Sequence, residues 1–125
     1  MKIIIDLDQT LTAPKPGETY SDVSCNTAVV EKLKYYRSQG FTIAIHTARN
    51  MRTHAGNIGK INVHTLPVII EWLEKHDIPF DEIFLGKPWC EDGGFYVDDK
   101  AIRPDEFANL SLQEIYTLIG EKTPQ

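Results

Sequence analysis

The sequence predicts an α/β fold, a parallel sheet flanked by helices. Three observations carry this. Short apolar runs without polar alternation stand at residues 2–5, 41–45, 82–85 and 95–97, the pattern of strands buried on both faces. Apolar residues at helical spacing occupy two of the intervening gaps and the stretch after the last run. Strand and helix therefore alternate, and the pattern implies a sheet with helices on both faces.

Residues 2–5 are rich in β-branched side chains and read as the first strand. Pro14, Pro16 and Gly17 break the chain into a loop lasting to about residue 24. A helix follows, with Asn26 as its cap, Val29, Val30, Leu33 and Tyr36 facing inward, and Gly40 ending it. The second strand is 41–45. Residues 49–64 hold two glycines, several asparagines and weak periodicity, and read as a long loop. The next helix runs from about 66 to 76, with Thr65 as cap, Pro67 in the first turn, and Ile69, Ile70 and Leu73 inward. Trp72 on that helix reads as a core or half-buried residue. Strands at 82–85 and 95–97 are joined only by residues 86–94, short for a parallel crossover, which usually takes a dozen residues or more. Ser111 and Glu114 form a capping box opening a last amphipathic helix to about 119.

The chain of 125 residues fits a single domain, 1–125. A formal charge of −5 argues against a nucleic-acid partner. No apolar run approaches the roughly 18–20 residues needed to span a bilayer, and no signal peptide is evident, so the expected location is cytoplasmic and off the membrane. Cys25 and Cys90 have neither metal nor disulfide spacing.

Ligands of open parallel sheets gather at the carboxyl ends of the strands. Two acidic clusters follow strands at that edge, Asp6-Leu7-Asp8 and Asp98-Asp99. Four carboxylates converging there would repel one another without a cation, and a hard divalent ion with oxygen ligands, magnesium above all, resolves the conflict. Within the first cluster, positions i and i+2 of an extended chain point the same way. One carboxylate can then attack while the other carries a proton. The four histidines share no zinc-ligand spacing.

The run Asp6-Leu7-Asp8-Gln9-Thr10-Leu11-Thr12 resembles the first motif of the haloacid dehalogenase superfamily, in the form its phosphatases carry. Thr47 after an apolar strand matches the second motif, Lys87 in Gly86-Lys87-Pro88 the third, and Asp98-Asp99 the fourth. The small size and the Thr47-Ala48-Arg49 run look most like the capless phosphatases linked to capsular polysaccharide biosynthesis. The resemblance implies a Rossmann-like domain without a cap. It implies a phosphoric monoester hydrolase in which Asp6 attacks phosphorus and forms a phosphoaspartyl intermediate. Asp8 would protonate the leaving alcohol and then deprotonate water, and its presence points to phosphate over halide. Mg2+ would be held by Asp6, the Asp8 carbonyl and the Asp98-Asp99 pair, with the choice between the last two left open. Thr47 and Lys87 would contact the phosphoryl group.

Neither gap between motifs holds a cap domain, so the site is expected to be open to a phosphorylated small molecule, or covered by a second copy of the chain. The basic loop 49–64, and Arg49 first, is the expected substrate contact. Lys87 beside Pro88 is not expected on a helix. Thr10 and Thr12 are expected to stabilise the turn after Asp8. Two rivals remain. A receiver-like phospho-acceptor module would place its acidic pair before its acceptor Asp, the reverse of the order here. A weak relative that only binds phosphorylated ligands is the other.

Overall fold

The computed structural model describes residues 1–122. Its chain falls into two compact units, Met1–Trp89 and Cys90–Gln125. In the first unit, strands β1 (Lys2–Ile5), β2 (Thr42–His46) and β3 (Glu82–Phe84) form a wholly parallel sheet in the order β1-β2-β3. Ile5 lies opposite Ile45, and Ile45 opposite Ile83. Helix α1 (Thr27–Ser38) links β1 to β2, and α2 (Ile58–His64) with α3 (Leu66–Lys75) links β2 to β3. The predicted class, a parallel α/β sheet flanked by helices and without a cap, is what the molecule adopts.

Right-handed crossovers in this strand order carry α1 and then α2–α3 over the same face, so these helices cover one face of the sheet and not the two that the apolar pattern implies. The burial follows: Ile5, Ile43 and Ile45, on one side of the pleat, are 7%, 0% and 0% exposed. On the other side Ile4 and Phe84 are 64% and 49% exposed, so β1 is not the fully buried strand its composition predicts. That side also carries the Lys2–Glu82 ion pair.

Helix α1 buries the four residues its spacing predicts, Val29, Val30, Leu33 and Tyr36, and the Asn26 side chain accepts from the Val29 N–H at its start. Asp81 then ties three elements together. Its carboxylate accepts from the Ile43 N–H at 2.8 Å and from both terminal nitrogens of Arg37 on α1, while its own N–H donates to the Ile43 carbonyl. These bonds, the Ile43 N–H foremost, hold the Asp81 carboxyl below the usual carboxylate range.

Three local expectations are corrected. The stretch 49–64 is not all loop, because Asn57 caps α2 by accepting from the Lys60 N–H. Only Ile61 of α2 is buried, and one inward residue leaves no periodicity to read. Thr65 does not cap α3 with its side chain, since its hydroxyl donates to Asn50 Oδ1 instead. Residues 95–97 are not a strand. Phe95, Tyr96 and Val97 are 81%, 49% and 88% exposed. So short a run makes few ladder bonds, and the second unit offers no other strand among the described residues to pair with it. That unit instead holds α4 (Pro104–Asn109), which the sequence reading lacks, and α5 (Leu112–Ile119), opened by the predicted Ser111–Glu114 capping box.

Beyond the strands, the β2–β3 ladder continues toward the site. The Thr47 N–H donates to the Phe84 carbonyl, and the Lys87 N–H to the Thr47 carbonyl at 3.1 Å. Gly86 makes this path possible at φ +84°, with Ile58 Cδ1 only 2.6 Å from where a Cβ would stand. A Gly86→Ala variant is expected to lose about 1–2 kcal/mol from the left-handed backbone alone. Its urea midpoint, compared with that of the parent chain, checks this.

Candidate active site

The site is built where β1 and β2 end side by side. Just past β1 the N–H groups of Thr10, Leu11 and Thr12 converge on the Leu7 carbonyl. Gln9 adopts φ +64°, and its N–H donates to the Thr12 hydroxyl. The chain therefore turns sharply after Asp8 and leaves Asp6 and Asp8 at the carboxyl edge of the sheet. Past β2 the same device recurs, with Asn50 at φ +61° directly after Arg49. Left-handed conformations at non-glycine residues cost of order 1–3 kcal/mol and cluster at functional sites.

Asp8 and Arg49 meet across the two strand ends. The guanidinium Nη2 donates to Asp8 Oδ1 at 2.7 Å, and Nε lies 3.1–3.2 Å from both carboxylate oxygens. The Arg49 side chain is 1% exposed, against 33% for Asp8. Its Nη1 is buried with no acceptor among the described residues, and an unsatisfied buried donor of this kind is rare in folded proteins. Tyr20 covers the guanidinium, with its ring centroid 4.2 Å from Cζ. Thr47 is also buried, and its hydroxyl oxygen accepts from the Arg49 N–H.

Asp6 lies in a different setting. Its Oδ2 accepts from the Thr10 hydroxyl at 3.2 Å, and Lys87 Nζ stands 3.8 Å from Oδ1. Burial pushes the Asp6 carboxyl above the usual aspartate range, although Lys87, the Leu7 N–H and Thr10 pull the other way. His46, the residue before Thr47, has its imidazole pushed down by burial first and by Lys87 second, against a smaller opposing pull from Asp6.

The structure thus gathers Asp6, Asp8, Thr47, Arg49 and Lys87 from the predicted set at one edge of the first unit. Thr10, predicted to serve only the turn, bonds Asp6 directly. Of the basic stretch after Arg49, Arg52 and Lys60 are exposed, while His54 and His64 stack on each other. Asp98 and Asp99 belong to the second unit. There Asp98 accepts from the Lys100 N–H, the leading cause of its lowered pKa. Among the described residues no group of three or more His, Cys, Asp or Glu is placed to hold a metal ion, and no helix is long and apolar enough to cross a membrane. Sequence reasoning missed Tyr20 and His46. His46 had a usable signal in its position beside Thr47, whereas nothing in the spacing of the 13–24 loop singles out Tyr20.

Fold and site together define an α/β protein with paired carboxylates and two cationic side chains at the carboxyl edge of a parallel sheet. No family model and no curated sequence matches the chain. It is similar to the crystal structure of a target protein from Vibrio cholerae, with 55% identity, a TM-score of 0.90, and coverage of 95% of this chain and 96% of that one. The chain belongs to the same family as that Vibrio cholerae protein. A chain in the structure of a Pnkp1/Rnl/Hen1 complex is 23% identical with a TM-score of 0.52, over 67% of this chain and 27% of that one. The second likeness shows a shared fold.

Two substitutions separate the roles of the acids. Asp8→Ala strands the buried Arg49 charge and is expected to cost about 3 kcal/mol or more. Asp6→Asn removes a carboxylate that burial disfavours, so at neutral pH it is expected to raise stability. Urea unfolding of both variants checks the opposite signs. Lys87 lowers the Asp6 pKa, so Lys87→Met is expected to move it further up, as read by carboxyl-carbon NMR titration of the metal-free protein.

Proposed function

We propose that the protein is a phosphatase acting on a small phosphomonoester, with Asp6 as nucleophile and Asp8 as acid/base partner. The observation that carries this reading is the different environment of two carboxylates two residues apart. Asp6 faces a hydroxyl and an ammonium and has no bidentate partner, as a nucleophile must. Asp8 is forked to a buried guanidinium that still has one donor without an acceptor. The resemblance to the haloacid dehalogenase superfamily supports the same roles.

In the proposed reaction an Asp6 oxygen forms a bond to phosphorus while the bond from phosphorus to the leaving oxygen breaks. Asp8 gives that oxygen a proton. Water then attacks phosphorus, Asp8 takes up a proton from it, the bond to Asp6 breaks, and inorganic phosphate leaves. Lys87 offsets negative charge on Asp6 and the phosphoryl group, and the Thr47 hydroxyl, already an acceptor from the Arg49 N–H, keeps its own proton to donate. All three contacts of Asp8 are as an acceptor. For Asp8 to deliver a proton, Arg49 must release one oxygen, and a phosphoryl oxygen at the unsatisfied Nη1 would draw the guanidinium toward the substrate.

Magnesium suits the donor chemistry, because the Asp6 carboxylate is hard, half-buried and not fully compensated by Lys87. The proposed ligands in the first unit are Asp6 and the Asp8 carbonyl; one of Asp98 and Asp99 joins them only as the superfamily resemblance implies. When bound, the ion would neutralise charge developing on the phosphoryl oxygens.

Phosphate release from a panel of phosphomonoesters, sugar phosphates first, is expected with Mg2+ and not with a chelator. Asp6→Asn is expected to lose at least about 10²–10³ in rate, the scale for removing one transition-state group. Full activity in that variant removes Asp6 as nucleophile. Binding of phosphorylated ligands without any hydrolysis by the parent chain supports the binding-only reading instead.

A further inference from the structure

Residues 13–24 are a closed, internally bonded loop. Its base is pinned by the antiparallel bridge between Thr12 and Cys25, with the Ala13 N–H donating to the Ser24 carbonyl and the Asn26 N–H to the Leu11 carbonyl. Inside, the Glu18 carboxylate accepts from the Lys15 and Ser24 N–H groups and from the Ser24 hydroxyl. The loop is also anchored to the core, because Val23 is buried and its carbonyl accepts from the Trp72 indole N–H at 2.7 Å. At the tip the Asp22 side chain accepts from the N–H and hydroxyl of Thr19, and the Asp22 N–H donates to the Thr19 carbonyl. Tyr20 is a central residue of that turn. Its ring lies over Arg49, which holds Asp8, yet the residue remains 50% exposed.

A loop with this many internal bonds holds its tip in place before any ligand arrives, which lowers the ordering cost of binding. The aromatic side chain it presents lies over the guanidinium that holds Asp8, the carboxylate proposed to protonate the leaving oxygen. We propose that Tyr20 determines specificity for the leaving group, by packing its exposed ring surface against a ring-bearing alcohol such as a sugar or a phenol. The inference rests on the phosphatase reading above and narrows it to one class of ester. The loop then does part of what a cap domain does in larger proteins, and the first gap between motifs, expected to leave the site open, supplies an aromatic wall.

The test compares two esters, phenyl phosphate with a ring and glycerol phosphate without one, in the parent chain, Tyr20→Phe and Tyr20→Ala. Tyr20→Ala is expected to lower the kcat/KM ratio of ring to ring-free ester by about fivefold to tenfold, mostly through KM, the range of one aromatic contact. Tyr20→Phe, which keeps the ring, is expected to restore the ratio. If Tyr20 only shields Arg49, both esters lose activity together and the ratio stays put, which overturns this inference while leaving the phosphatase reading standing. Hydrolysis by the parent chain of neither ester, and of no member of the phosphomonoester panel either, overturns both. Should Tyr20→Ala fail to fold, Tyr20→Leu against Tyr20→Phe carries the same comparison.

Discussion

The ion pair between the buried Arg49 guanidinium and the half-buried Asp8 is the constraint around which the site is arranged. A guanidinium whose side chain is 1% exposed requires a partner, because an uncompensated charge in that position would be severely penalised. Its partner stands on the neighbouring strand end, so both strands must turn at the same height. Gln9 and Asn50 meet that demand with left-handed backbone directly after the two charged residues. The Thr47 hydroxyl accepts from the Arg49 N–H, and the Tyr20 ring lies over the guanidinium. Each of these features would be an oddity alone. Together they are what it takes to keep one cation dry at a sheet edge.

Asp6 shows the opposite economy only two residues away. Its nearest cation is at 3.8 Å, a distance of loose electrostatic support, and the burial that raises its pKa is not fully offset. One carboxylate is thus held by directional bonds and the other is left with spare oxygen capacity. That contrast arises from the neighbours each strand end supplies, since the side chains themselves are identical.

Much of this was legible in the sequence. The parallel sheet followed from unalternated apolar strands, and α1 from residues whose inward spacing survives intact in the fold. Asp6 and Asp8 followed from their position after a strand, whereas Thr47 and Lys87 followed from the resemblance to the superfamily motifs, and Arg49 from its place two residues past Thr47. Lys87 was the hardest of these to place, because Pro88 precludes an ordinary helix there. Its backbone is tied to the Thr47 carbonyl, a long-range contact that no local pattern encodes. Helix α2 was illegible because its one buried residue gives no period. Residues 95–97 misled because β-propensity describes a fit to a pleated surface, and a strand exists only where a neighbour is present to bond it. Tyr20 stayed hidden for a related reason, since its importance comes from a loop closed by side-chain bonds between residues that resemble ordinary turn formers.

The hydrogen bond from Trp72 to the Val23 carbonyl connects a core helix to the loop that carries Tyr20. A change at Trp72 would therefore register in two ways, as a packing defect in the core and as a shift of the loop that lays Tyr20 over Arg49. On the proposed role of Tyr20, random mutagenesis scored by the ratio of two esters would thus place this interior tryptophan among residues that select the substrate.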